Sequence, residues 1–443
     1  MPRLAINLHK IAKVVNISIP ILTILFLLLA ILVSPSYYIL TTIFGFLLIT
    51  NFILRHVQIR YAILRNFGII GQLRYILESI GPEFRQYLYL NDNEEKPFNR
   101  TEREEVYQKA KNEDSTSAFG SQNNFNEHEI KIRHSLYPLS KEELEDYSLV
   151  FGEERKIKNT YEIKKPVMIS AMSFGALGKN AVRSLSRGAK LSGIPINTGE
   201  GGFPKYHLME KSDLIFQIGT AKFGVRNEDG SLNEEKLKEI SKDPHVKMIE
   251  IKFSQGAKPG KGGFLPKEKI TDEIAELRHV PKNKDLLSPP HHMECTNAET
   301  TVAFIKKVQD VSELPVGIKM SLGREDEFRE LVIEMKKQKT FPDYIALDGA
   351  EGGTGAAPKS YMDDLGVPLY PALKSVQKIL LEEKVRDRLK LIASGKIINP
   401  GKQIIALALG ADAIYTARGF MLALGCIQSL QCNKNTCPVG ITT

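Results

Sequence analysis

Three of the chain's four cysteines fall close together in CIQSLQCNKNTCPVG, residues 426–440. Cys426, Cys432 and Cys437 follow a C-x5-C-x4-C spacing, and Pro438 and Gly440 mark the segment as one irregular loop. Two thiolate chemistries compete for it. A structural zinc site takes four ligands, commonly from C-x2-C pairs, and no such pair occurs. Iron–sulfur clusters are held by thiolates, and three closely spaced cysteines suit a three-iron cluster. Cys295 lies far off in sequence and reads as a buried bystander or as a fourth ligand.

Glycine-rich segments make a second group: SAMSFGAL (residues 170–177), TGEGG (198–202), SQGAKPGKGG (254–263) and DGAEGGTGAAP (348–358). Glycine lets backbone N–H groups approach a flat ring or a phosphate closely, and successive N–H groups form an anion-binding nest. Tight turns would use the same residues. GAEGGTG resembles a dinucleotide fingerprint only superficially, since it lacks the G-x-G-x-x-G spacing. His291 and His292 invite a metal reading, but adjacent side chains diverge and no third ligand is evident.

These residues need a scaffold, and the sequence supplies a rhythm. Eight short apolar runs begin at Pro166, Ile194, Asp213, Val246, Pro315, Tyr344, Lys390 and Ala413, each followed by a turn and then a helical stretch. Alternating strands and helices predict a parallel sheet, and eight units predict closure into an α/β, TIM-type (β/α)8 barrel. In such a barrel the chemistry sits at the C-terminal strand ends, where the glycine segments fall. The last strands predict a phosphate site around Gly395 and Thr416.

Six motifs in order, MSFGAL, TGEGG, QGAKPGKGG, SPPHH, DGAEGGTGAAP and LGCIQSLQCNKNTCPVGI, resemble the FMN-binding synthase domain of glutamate synthase. The resemblance covers roughly residues 129–443, and the whole chain resembles the stand-alone proteins of that family. It implies FMN, a 3Fe-4S cluster on Cys426, Cys432 and Cys437, and reduction of 2-iminoglutarate, formed from 2-oxoglutarate and ammonia, to L-glutamate. Residue by residue, it implies a flavin ring on the backbone of Met172 and Ser173 with Lys319 near its N1 and C2 oxygen. Gly352, Gly353, Thr354 and Gly355, with Gly395 and Thr416, would hold the phosphate side. Lys252, Gln255 and Arg278 would grip the 2-oxoglutarate carboxylates. Glu200 would place ammonia or move a proton, and Lys258 would lie between flavin and cluster.

The N-terminal part has a different composition. Residues 17–33 and 37–54 carry no charge, and each approaches the roughly 20 residues that cross a bilayer. Only Ser34, Pro35 and Ser36 separate them, and basic residues flank both sides, so the expected topology is a hairpin with both flanks in the cytoplasm. Leu73, Ile76, Leu77 and Ile80 then predict an amphipathic helix, and a second, short helix is expected over residues 101–111. The expected organisation is a transmembrane hairpin (1–56), a juxtamembrane connector (57–128) and the barrel with its cysteine loop (129–443).

A net charge of +8 would suit an anionic surface, and its clustering near the hairpin points to lipid and not to nucleic acid. Four cysteines are too few for a disulfide-stapled secreted fold. The expected location is the cytoplasmic membrane, with the catalytic domain in the cytoplasm. With no glutaminase or nicotinamide-binding domain expected, ammonia would come from solution or a partner, and electrons from a donor protein or the membrane. Two other functions stay open: reduction of a related imine, such as one from methylamine, and a non-catalytic redox relay.

Overall fold

The computed structural model describes residues 8–84, 89, 94–114, 116, 118–121, 130–278 and 280–442. The chain divides into two compact units, Met1–Pro97 and Phe98–Thr443.

The first unit is helical. Helices α1 (Leu8–Leu32) and α2 (Tyr38–Phe52) pack together as a hairpin. A 3-10 turn at Pro35–Tyr37 joins them, with Ser34 Oγ accepting the Ser36 N–H. Two stretches of 23 residues, Lys10–Leu32 and Pro35–Val57, are long and apolar enough to cross a membrane, and most of their apolar side chains point outward. The polar exception is internal: Asn51 Nδ2 donates to Asn16 Oδ1 at 3.0 Å, and Asn51 Oδ1 accepts the Ile69 N–H at 2.9 Å. Helices α3 (Ala62–Phe67) and α4 (Gln72–Phe84) follow. Leu73, Ile76, Leu77 and Ile80 fall at the expected helical spacing on α4 and are all exposed.

The second unit opens with helix α5 (Arg100–Ala110), started by an Asn99–Glu102 capping box. Antiparallel strands β1 (Leu149–Phe151) and β2 (Tyr161–Ile163) precede the barrel. Its first four strands are β3 (Val167–Ile169), β4 (Ile196–Asn197), β5 (Leu214–Ile218) and β6 (Val246–Lys252). A small antiparallel pair, β7 (Phe264–Leu265) and β8 (Leu286–Leu287), is inserted there and encloses the helix Asp272–Arg278. Strands β9 (Val316–Met320), β10 (Tyr344–Asp348), β11 (Lys390–Ser394) and β12 (Ala413–Thr416) complete the set. All eight are parallel and close on themselves, with β12 pairing β3 and β6 pairing β9. The eight apolar runs of the sequence are these eight strands.

Alternation along each strand sorts its side chains. On β6, Ile249 and Ile251 face the helical shell, which includes Ala298–Ser312 and Leu369–Glu382, while Met248 joins the barrel interior. The interior layer of Met168, Ile215, Met248, Tyr344, Ile392 and Tyr415 is closed at the N-terminal end by Phe151 and Ile163 of the β1–β2 pair. Phe151 meets Tyr344 edge to face, with ring centroids 5.4 Å apart.

Candidate active site

Toward the C-terminal end of the barrel the interior turns polar. Glu250 on β6 is fully buried, and its carboxylate accepts from Asn197 Nδ2 (2.8 Å), Gln217 Nε2 (2.6 Å) and the Tyr415 hydroxyl (3.0 Å). One carboxylate thereby ties β4, β5, β6 and β12 together. Asn197 passes the order upward: its Oδ1 accepts the Gly199 N–H at 3.0 Å, shaping the TGEGG loop. Gly199 has φ +67°, and a Cβ there would lie 2.7 Å from Ser173 N, so only glycine lets this loop press on the Met172–Ser173 backbone.

The loop presents Glu200 to three cations. Lys252 Nζ, at the end of β6, lies 2.7 Å from Glu200 Oε1. Burial alone would raise the Glu200 carboxyl, but Lys252, Lys258 and Arg278 outweigh it and hold the group below its ordinary range. Burial, reinforced by Lys252, pushes the Lys258 ammonium down to about 8. Lys258 Nζ donates to Ala356 O at 3.0 Å, which links the 254–263 loop to the glycine-rich loop after β10.

Arg278 comes from the insertion and not from a barrel strand end. It is buried, its guanidinium carbon stands 5.3 Å over the Phe223 ring, and Nη2 donates to Phe174 O at 2.8 Å. Its Nε has no hydrogen-bond partner, and burial pushes the group down to about 10. A buried, unpaired guanidinium donor beside two lysines is a strong site for a carboxylate or phosphate oxygen. Ser173, Glu200, Lys258, Arg278, Thr354, Gly355 and Cys432 line one cavity. Lys252 reaches it through Glu200. The Gln255 side chain does not line that cavity.

A second cluster sits across the barrel mouth. Asp348 ends β10, accepting from Ser394 Oγ (2.6 Å) and the Gly256 N–H (2.9 Å), with Lys319 Nζ 3.9 Å away. The 352–355 loop bends round Arg418, whose Nη2 donates to Glu351 O at 2.6 Å. A Cβ on Gly353 would come within 2.8 Å of Arg418 Nε, and one on Gly355 would meet open space. Gly395 follows β11 and Thr416 ends β12; a Cβ on Gly395 would meet Leu369, whose N–H donates to Glu351 Oε2 at 2.8 Å. Burial holds the Arg418 guanidinium below its usual range, against Asp348 and Glu351. Among the described residues this is a cradle with a half-spent guanidinium, suited to a phosphate group.

The cysteine loop adjoins both. Cys426 and Cys437 pack against the apolar cluster that includes Ile169, Met172 and Leu177, and Cys432 lines the cavity with Ser173. None of the cysteines forms a disulfide. Among the described residues no three His, Cys, Asp or Glu groups converge closely enough for a single metal ion. The three thiols are nevertheless near enough to influence one another electrostatically. Burial would raise Cys437, but N–H groups of Thr442, Val439 and Ile441 hold it below the thiol range, while burial raises Cys426 and Cys432. Cys295 packs instead against the apolar layer between the strands and the helical shell, and burial pushes its thiol up to about 12.

The structure adds Arg418 and His207, which the sequence did not single out, and gives His292 a role other than metal binding. Arg418 follows Thr416 in TARGF, and the signal was available: a basic residue opening a helix after the last strand. His207 Nε2 donates to Met172 O at 3.1 Å and His292 Nε2 to Lys252 O at 3.0 Å, so each buried ring pins the backbone of a site residue. Burial pushes both imidazoles down to about 4, which keeps them neutral. His291 is exposed, as divergence of adjacent side chains requires.

Comparison with known proteins decides the family. Residues 96–443 match the conserved region in glutamate synthase. The chain belongs to the glutamate synthase family. With that membership it is a glutamate synthase-type oxidoreductase. The glutamate synthase large subunit-like protein YerD of Bacillus subtilis is 39% identical over 87% of this chain and 81% of its own length. An archaeal-type glutamate synthase [NADPH] of Thermotoga maritima is 36% identical over 64% of this chain and 53% of its own. The archaeal glutamate synthase [NADPH] of Methanocaldococcus jannaschii is 36% identical over 65% and 54%. The chain thus spans about half the length of these last two relatives. A solved flavocytochrome b2 aligns over 64% of both chains with a TM-score of 0.41 and 18% identity.

Proposed function

We propose that this chain reduces 2-iminoglutarate, formed from 2-oxoglutarate and ammonia, to L-glutamate, using FMN and a 3Fe-4S cluster. The observation that carries the reading is the buried, unpaired Nε of Arg278 beside Lys252, Lys258 and Glu200. A dicarboxylate needs two cationic grips, and this corner supplies them.

The residues present fit both cofactors. The Met172–Ser173 backbone, pressed by Gly199, offers a flat platform for a ring, and Lys319 supplies a cation for the negative charge of reduced flavin. Gly352, Gly353, Thr354, Gly355, Gly395, Thr416 and Arg418 would hold the phosphate end. Cys426, Cys432 and Cys437 would hold the cluster, with Lys258 and Thr354 facing the same cavity as Cys432. When bound, FMN supplies the hydride that reduces the imine carbon, and the cluster supplies electrons singly.

The chain's own groups do the rest. Arg278 and Lys252 orient the two carboxylates, with Gln255 as a further contact, and the surrounding buried shell excludes water. Glu200, held ionised, accepts a proton from ammonium or its adduct as the C=N bond forms and water leaves. Lys258, poised near 8, returns a proton to the nitrogen when hydride reaches the carbon. The two apolar helices anchor the enzyme in the cytoplasmic membrane with both flanks inside, consistent with Lys10, Lys13, Arg55, Arg60 and Arg65 beside them. The electron donor is a separate protein or a membrane carrier.

The test is turnover of 2-oxoglutarate plus ammonium with a chemical reductant, followed by product identification. L-Glutamate is the expected product. Reduced protein that is not reoxidised by that pair, yet passes electrons to a one-electron acceptor, overturns the reading.

A further inference from the structure

Phe98 is buried to 1% exposure in a place where its neighbours are cations. The Arg418 guanidinium carbon stands 4.9 Å over its ring centroid and Lys396 Nζ 5.9 Å. Its backbone is locked in both directions: the Phe98 N–H donates to Gln428 Oε1 at 3.1 Å, and Gln428 Nε2 donates to Phe98 O at 2.9 Å. Helix α5 fastens the segment from behind. The Tyr107 hydroxyl donates to Cys426 O at 2.6 Å, Asn399 Nδ2 donates to Glu105 Oε2 at 3.3 Å, and Lys402 pairs with Glu102. Phe98, Val106 and Leu422 form one apolar cluster under these contacts.

The half-buried Arg418 guanidinium donates to Glu351 O beneath the 352–355 loop, and Asp348 and Glu351 also attract its charge. The Phe98 face supplies a further attraction, and burial of the ring makes that cation–π contact stronger than an exposed one. The ring therefore does for Arg418 what a hydrogen-bonding carbonyl could not: it holds the cation without using up a donor. Lys396, one residue beyond Gly395, also stands over the ring.

We propose that Phe98 is a positioning residue that fixes Arg418 and Lys396 at the phosphate end of the flavin site, and so sets the preference for FMN over riboflavin, which lacks the phosphate. The inference rests on reading residues 352–355, Gly395 and Thr416 as the phosphate cradle. It assigns a cofactor role to a residue that precedes the barrel by nearly seventy positions in sequence.

The full-length protein, stripped of flavin, would be titrated with FMN and with riboflavin. Phe98→Ala should weaken FMN binding about tenfold or more and leave riboflavin binding unchanged, and Phe98→Tyr, which keeps a ring face, should restore the wild-type preference. Phe98→Leu keeps apolar volume without a π face; it should melt like wild type and still lose the preference, which guards against a folding defect in the alanine variant. Equal weakening of both flavins in the leucine variant, or no weakening of either, overturns the proposal. Wild-type protein that binds FMN no better than riboflavin overturns the phosphate cradle itself, so the two failures are distinguishable.

Discussion

Strand β10 has an aspartate at each end, and the two are treated differently. Asp343, just before the strand, takes three contacts from Arg155 at 2.7–3.0 Å and the Val316 N–H at 2.6 Å, while Arg155 Nη2 also donates to Leu314 O. Asp412, just before β12, is fastened in the same way by Arg386 and the Leu391 N–H. Asp348, at the other end of β10, has a hydroxyl, one backbone N–H and a lysine 3.9 Å away. Elsewhere in and under the candidate site, Arg278, His207 and His292 each keep a buried nitrogen without a partner. The N-terminal end of the barrel is a fastening and the C-terminal end is left under-satisfied. Unmet polar atoms near one end are tolerable because the aspartates at the other end are firmly paired.

The comparison breaks most visibly at Asp343. Asp343→Ala removes the carboxylate partner of Arg155 and leaves the Val316 N–H unpaired, and should lower unfolding free energy by about 3–5 kcal/mol in urea titration, while flavin affinity of the folded protein stays the same. A loss of less than about 1 kcal/mol would mean that the lower end does not hold the barrel together. Arg278→Lys should do the reverse. It keeps the charge and loses the fork, so apparent 2-oxoglutarate affinity should fall by about 1.5–3 kcal/mol, tenfold or more, with no drop in melting temperature. A variant that melts early with unchanged affinity would reclassify Arg278 as a structural residue.

Lys258 gives a smaller, pH-dependent signal. As a proton donor it works in its charged form, so turnover should decline as pH rises through about 8. Lys258→Arg should move that decline upward, beyond the range of the assay. An unchanged profile would take Lys258 out of the proton path. The smallest effect belongs to neither end. Lys205 and Glu273 form an exposed pair at 2.8 Å, and Lys205→Ala should leave stability and turnover within error because solvent screens such contacts.

The strands were legible because their signal is local: a short apolar run, a turn, then a helical period. All eight apolar runs became barrel strands for that reason. The TGEGG loop was legible as a close backbone approach, since Gly199 is required by a main-chain contact that no larger residue permits, whereas Gly353 abuts the Arg418 side chain, which the sequence did not single out. The Glu250 network was not legible. A glutamate inside an apolar strand, VKMIEIK, finds its partners on β4, β5 and β12, from 33 to 165 residues away. Phe98 escaped for the same reason, its partner Gln428 being 330 residues distant. Pairings of that range leave no mark on neighbouring positions.

One close approach bears on how this sequence can drift over generations. A Cβ on Gly256 would fall 1.7 Å from Gly349 O and 2.6 Å from its carbonyl carbon, while the Gly256 N–H holds Asp348. Two loops from different barrel units touch backbone to backbone, so each is the mould in which the other is cast. A single step from glycine to alanine at 256 must shove the whole 348–355 loop. No flexible side chain can step aside to absorb it, because the obstacle is main chain. Random change can wander freely over exposed helix positions of this enzyme, but here its path is closed unless both loops are rebuilt together, and a lineage that keeps both loops inherits this contact unchanged.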